Sequence, residues 1–270
     1  MVGLAVVFGS ETGIGQVVAA RAAKAPADED LGVVAAERWI GRALILRGFW
    51  AGEELRFDGA GRPMDAGKVT DWTLAGFDLQ KVKRRTDGDL ELDGVRVAAR
   101  WNPDQHIFER HPQKTETMRV VFPAPSAPGV EPALEAIFSV GIDPALQRSM
   151  PAYWSHYFIP GTAWPADGVT GKPVLTVGTK PPDGMVYPEV VKKGEPGFTA
   201  EASADHVKGT VRVGMVVDEN GVPERVVVRQ PLGYGLDEKT VEAVEKYRFK
   251  PAMVHGAPAL VEIVVNQGFD

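Results

Sequence analysis

The chain has 270 residues, 44% hydrophobic and 24% charged, with a formal net charge of −6, which is enough for one large domain or two smaller ones with separate cores. The acidic balance argues against a non-specific nucleic-acid binder, since that function needs a basic surface. With no cysteine in the chain, a disulfide framework and a thiolate metal site are both excluded, while an oxidising compartment is compatible but not implied.

Residues 1–30 form a signal-like or truncated N-terminal segment with three readings. Gly9, Gly13 and Gly15 follow an apolar run and precede the helix-like stretch QVVAARAAKA. This resembles the opening of short-chain dehydrogenases, whose glycines let the backbone approach a pyrophosphate. Against it, no Tyr has a Lys four residues later, and APADED does not begin a second β-α unit. A secretory signal is the second reading, with Leu4 to Phe8 as its apolar core and Ala23-Lys24-Ala25 as a cleavage-like site. The third is the remnant of a longer segment beginning upstream of Met1. Read from Met1, the run is far shorter than the roughly 20 apolar residues that span a bilayer.

Residues 31–159 read as a β-rich domain with a helical extension. RALILRGFW (42–50) and EELRFD (53–58) are expected strands joined at Ala51-Gly52; WTLAGFDLQKVKRR, DLELDG and VRVAARW follow, with Asp87-Gly88 and Asp93-Gly94 as hairpin turns. Strands at this spacing predict a meander forming a sandwich or small barrel, with Trp39, Trp50, Trp72 and Trp101 in its core. Lys81, Lys83, Arg84 and Arg85 form a basic cluster facing Asp87, Asp89 and Glu91 across the turn, which reads as cross-strand charge pairing. His106 and His111 flank Glu109 without a standard metal-site spacing. A helix is expected over Val130 to Val140, with Leu134, Ile137 and Phe138 on one side. Tyr153, Trp154, His156, Tyr157 and Phe158 form an aromatic knot after it. No G-x-S-x-G elbow, Walker loop or H-E-x-x-H motif occurs, so no catalytic, cofactor-binding or metal residue is assigned. Residues 160–196 are rich in Pro and Gly and read as a linker.

Residues 197–270 read as a separate β-β-α-β module. Val211, Val213, Met215 and Val217 alternate along a strand. Asp218-Glu219-Asn220-Gly221 turns the chain, and Val222 to Gln230 returns. A helix follows with Asp237 as expected N-cap and Thr240, Val241, Val244 and Tyr247 on its inner face. After a His255-Gly256 turn, Val261, Ile263 and Val265 form a last alternating strand. The fold class is thus α+β: a β-rich domain with a short helical segment, then the β-β-α-β module.

Three pieces, GTVRVGMVVDENGVPERVVVRQ, GLDEKTVEAVEKYRFKPA and ALVEIVVNQGF, with PGFTAEASADHVKG just upstream, resemble the C-terminal domain of TonB, the periplasmic energy transducer of Gram-negative bacteria. Phe198-Thr199 stands where many members have Tyr-Pro. The resemblance covers roughly residues 185 to 270. It implies a non-enzymatic protein of the periplasm and cell envelope, without cofactor, that takes part in TonB-dependent transport. The implied partner is a peptide of a TonB-dependent outer-membrane receptor, with inner-membrane motor proteins added if an upstream anchor exists. An uncoupled accessory or scaffolding protein built on the same module is the alternative. In the family the closing strand receives the receptor peptide as an added strand, which places the expected edge on Leu260, Glu262, Val264, Asn266 and Gln267. The same edge could pair with a second copy of the module as a homodimer.

Overall fold

Alternating apolar and polar residues from Gly76 to Pro123 build the central sheet of the N-terminal lobe. A computed structural model of the chain describes residues 30–158, 174–176 and 183–270, apart from Ala66 and Pro125. The dehydrogenase-like, signal and remnant readings of residues 1–29 therefore lie outside the described residues, as does the side chain of His156 in the aromatic knot. The lobe runs α1 (Leu31–Glu37), β1 (Leu44–Leu46), β2 (Trp50–Ala51), β3 (Glu54–Arg56), β4 (Lys68–Val69), a 3-10 turn (Trp72–Leu74), β5 (Gly76–Arg84), β6 (Asp89–Asn102), β7 (Ile107–Pro123), α2 (Val130–Ile137), β8 (Phe138–Val140), α3 (Pro144–Ser149) and α4 (Ser155–Phe158). Six strands form one sheet in the order β3-β7-β6-β5-β1-β8.

The meander of β5, β6 and β7 forms as the pattern implies, but its sheet remains open, with β3 and β8 at its edges, in place of the expected sandwich or barrel. Asp87-Gly88 makes the β5–β6 turn, whereas Asp93-Gly94 lies inside the 14-residue β6. Gly94 is there for clearance: a Cβ would stand 2.3 Å from the Asp78 carbonyl oxygen. Leu44–Leu46 and Glu54–Arg56 do not pair with each other, because β1 bonds β5 and β8 while β3 joins β7 in parallel. The expected helix at 130–140 ends at Ile137, and Phe138 turns into strand to pair with β1. Lys83 bonds Glu91 and Asp93 at 2.8 and 3.0 Å, and Arg85 bonds Glu91 at 2.9 Å, so the basic cluster is answered across the hairpin. Trp39 and Trp72 are buried, while Trp50 and Trp101 are half-buried at the margin of the core. The aromatic knot closes on them, Trp154 lying 5.3 Å from Trp72 and Tyr157 lying 5.5 Å from Trp101, centroid to centroid.

The rest of the chain gives β9 (Leu175–Thr176), β10 (Met185–Val186), β11 (Glu189–Lys192), α5 (Ala200–Ala204), β12 (Gly209–Val217), β13 (Pro223–Gln230), α6 (Leu236–Val244), β14 (Arg248–Lys250), β15 (Ala252–Val254), β16 (Ala257–Ala259) and β17 (Val261–Phe269). The main sheet here has the order β13-β12-β17-β9. Val211, Val213, Met215 and Val217 are fully buried, and α6 packs on that face through Thr240, Val241 and Val244. Three short strands, β14 to β16, intervene between α6 and β17. Within the stretch expected to be linker, β9, β10 and β11 pair with β17, β15 and β14 respectively. Short extended pieces in a Pro- and Gly-rich stretch thus complete open sheet edges.

Asp237 is not the N-cap; Gly235 holds that position, and the Asp237 carboxylate reaches back to accept N–H bonds from Leu232 (2.9 Å) and Gly233 (2.7 Å). That loop is fastened to the N-terminal lobe. Trp101 N–H donates to the Leu232 carbonyl and Tyr234 N–H to the Ala99 carbonyl, each at 3.0 Å. Gly235 N–H donates to Thr73 Oγ1 at 2.8 Å, and Asp205 accepts from both Gln113 (2.9 Å) and Tyr234 (2.7 Å). Leu31–Asp270 accordingly forms one compact unit.

Candidate functional site

The last strand is held on one side only along most of its length. β17 pairs with β12 without a bulge, from Val261 opposite Val217 to Phe269 opposite Gly209. Its side chains alternate as the period of two requires: Val261 is buried, Ile263 and Val265 pack against the core, and Val264, Asn266 and Gly268 are exposed. Phe269 is buried against the ring of Phe198, 5.2 Å away.

Backbone direction follows from one bond. Leu175 N–H donates to the Leu260 carbonyl at 2.9 Å, so the groups of Leu260 face away from β12. Successive residues of a strand present their N–H and C=O to opposite edges. Glu262, Val264, Asn266 and Gly268 therefore present theirs to the outer edge. β9 covers that edge only opposite Val261 and Glu262, and no other strand pairs there among the described residues.

The five expected edge residues are thereby separated. Leu260 is buried and its carbonyl is already bonded by Leu175. Glu262 lies opposite Thr176 and its carboxylate bonds Arg229 at 2.8 Å. Val264, 46% exposed, and Asn266 combine exposed side chains with outward backbone groups. Gln267 instead faces its backbone to Val211 of β12, and its side-chain amide donates to the Gly268 carbonyl at 2.8 Å. Gly268 is an outward position that sequence reasoning missed, although the same period of two would have found it.

Beside the edge lies an open cleft of about 310 Å³ lined by Thr176, Tyr187, Glu262, Ile263 and Val264. Tyr187 is exposed, as are Val186, Val190 and Val191 from the neighbouring strands. Tyr187 and Thr176 were not legible as site residues, because the stretch they belong to carries no hydrophobic period.

This arrangement can accept an extended chain as a further strand. Val264 to Gly268 spans about 13 Å at roughly 3.3 Å per residue, and its three outward N–H groups with the outward carbonyls of Val264 and Asn266, at about 1 kcal/mol net apiece, contribute only about 5 kcal/mol. Side chains seated in the cleft must supply the remainder of any useful affinity. Elsewhere the described residues contain no group of His, Asp or Glu able to hold a metal. The buried carboxylates Asp71 and Asp237 are at the lobe seam, away from this edge. Burial raises both, and repulsion from Asp71 adds to it at Asp237, which is pushed up to about 8.

A strand-rich α+β module whose last strand is only partly covered on its outer side is of a class suited to capturing extended peptides. Residues 194–270 match the family model for the Gram-negative bacterial TonB protein C-terminal, and this part of the chain is a TonB-type C-terminal module. A comparison with curated proteins finds no match. The match covers this C-terminal module and not the lobe that precedes it. No helix among the described residues is long and apolar enough to cross a membrane.

Proposed function

We propose that this chain is a periplasmic TonB-like protein that binds N-terminal peptides of outer-membrane transporters by strand addition to β17. The observation that carries the reading is the outward, strand-free backbone of Val264 to Gly268 in a module matching the TonB C-terminal family. The peptide bonds Val264, Asn266 and Gly268 through its backbone, and its apolar side chains settle against Val264 and Tyr187.

Replacing Val264 with proline removes an outward N–H while leaving the ladder to β12 intact. In the full chain, calorimetric titration with synthetic transporter N-terminal peptides is expected to show roughly fivefold weaker binding for Val264→Pro, as one charge-free backbone bond of about 1 kcal/mol implies. Unchanged affinity in the folded variant moves the docking site elsewhere.

A second reading, an uncoupled accessory or scaffolding protein, is favoured by the seam. The loop from Leu232 to Gly235 is bonded to β6 and to Thr73, so the module is fastened to a folded lobe through that loop. Both readings describe a binding protein and not an enzyme. Titration with NADH or NADPH, followed by tryptophan fluorescence, is expected to give no saturable signal; micromolar binding abolished by Gly13→Val would restore the dehydrogenase-like reading.

A further inference from the structure

The outer edge of β17 is not open at its beginning. There the chain has added a strand of its own: β9 runs parallel to β17, with Leu175 opposite Val261 and Thr176 opposite Glu262. Leu175 N–H takes the Leu260 carbonyl at 2.9 Å. The same parallel register directs the Glu262 N–H to the Leu175 carbonyl. The Leu175 side chain is half-buried against the core, and Thr176 forms one wall of the cleft shared with Tyr187, Glu262, Ile263 and Val264.

β9 thus holds the two kinds of group that an added strand would use: outward backbone hydrogen-bonding groups and the wall of the adjacent cleft. We propose that Leu175–Thr176 is a built-in competitor for this edge, so that a partner strand pairs along the whole of β17 only by displacing it. The proposal rests on the strand-addition reading above and adds to it what the partner must overcome. It also describes the partner: an extended peptide running parallel to β17, with an apolar residue in place of Leu175 and a small one in place of Thr176.

The competition is balanced in favour of exchange. A two-residue ladder is weak by itself, yet being part of the same chain gives it an effective concentration that a free peptide reaches only in the millimolar range. Partners that pair only from Val264 to Gly268 bind beside β9 and gain nothing from its removal. Partners that extend to Leu260 gain its carbonyl and the Glu262 N–H, but only after β9 has left.

The test uses the full chain and, as probe, a fluorescein-labelled synthetic peptide with the sequence of residues 172–178, followed by anisotropy. Leu175→Pro deletes the N–H that bonds Leu260, and it is expected to bind the probe about tenfold more tightly than the unaltered chain. Leu175→Asp keeps that N–H but loses the apolar contact, and a smaller gain is expected; it also serves should the proline variant fold poorly. Hydrogen exchange at the Glu262 amide is expected to accelerate in both variants without peptide. Equal probe affinity in the unaltered chain and the folded variants, with Val264→Pro still weakening binding, overturns the competitor while leaving the docking edge in place. Absence of saturable binding in every variant overturns the docking edge as well.

Discussion

Alanine at Gly221 is expected to lower the stability of Leu31–Asp270 by roughly 3 kcal/mol, seen as a fall in melting temperature of about 6–12 °C at roughly 2–4 °C per kcal/mol for a unit of this size. Two effects add at this position. Its φ of +79° is in the left-handed region, where a Cβ costs about 1 kcal/mol or more. A Cβ there would also stand 1.8 Å from the Phe249 carbonyl oxygen, and the Gly221 carbonyl accepts the Phe249 N–H at 2.9 Å. The β12–β13 turn must lift away from β14, breaking that bond. Gly256 separates the two effects, since its φ is +86° but a Cβ there meets nothing within 4 Å. Gly256→Ala is therefore expected to lower the melting temperature by only about 2–4 °C, the strain alone. Equal losses at the two sites would remove the contact argument.

The second large effect is a dependence on pH at the lobe seam. Asp237 is fully buried and faces Asp71 across the seam, with Glu238 beside it on α6 also raised by burial. A carboxyl group whose folded value is raised holds its proton in the native state while the unfolded chain has lost it. Its contribution is therefore complete below about pH 4, falls as pH rises, and levels off above about pH 8. Asparagine does not imitate the protonated acid. Both oxygens of Asp237 accept backbone N–H groups, from Leu232 and Gly233, and the hydroxyl oxygen of an acid keeps a lone pair where an amide NH₂ offers only donors. Asp237→Asn is thus expected to be about 2 kcal/mol less stable than the unaltered chain at pH 5. From pH 5 to pH 8 loss of the Asp237 proton costs the unaltered chain roughly 4 kcal/mol, at about 1.4 kcal/mol per unit, while the raised Asp71 and Glu238 are common to both chains. The gap should therefore close between about pH 6 and 7 and reverse by pH 8. Urea denaturation of both proteins at half-unit steps supplies the difference curve, in which the histidines cancel. A gap that is constant with pH would show that Asp237 enters the seam ionised.

Periodicity made the C-terminal module legible. Val211 to Val217 and Val261 to Val265 repeat every second residue, and both strands stand where that repeat puts them, with Val264 outward. Turn chemistry was less dependable. Asp-Gly marks a turn at 87–88, but at 93–94 the glycine answers a close approach by Asp78 in the neighbouring strand, which nothing local reveals. Asp237 has the composition of a helix start, yet its carboxylate serves the loop behind it. What it holds there, the bonds from Leu232 and Tyr234 to Trp101 and Ala99, joins residues far apart in the sequence. β9 was hidden for a related reason: two residues have no period, and they become a strand only because the edge of β17 is there to receive them.

The unbroken pairing of β12 with β17 has a mechanical consequence. Nine residue pairs, from Gly209–Phe269 to Val217–Val261, lie side by side without a bulge. A tug transmitted along the axis of β17 by a chain lying on its outer edge loads those bonds together, in shear, whereas a pull across the sheet would open them one after another. β12 shares the load with β13 on its far side, and the loop after β13 is stitched to Ala99 and Trp101. Traction applied at the edge is thereby spread through the sheet and into the N-terminal lobe before any single contact must yield.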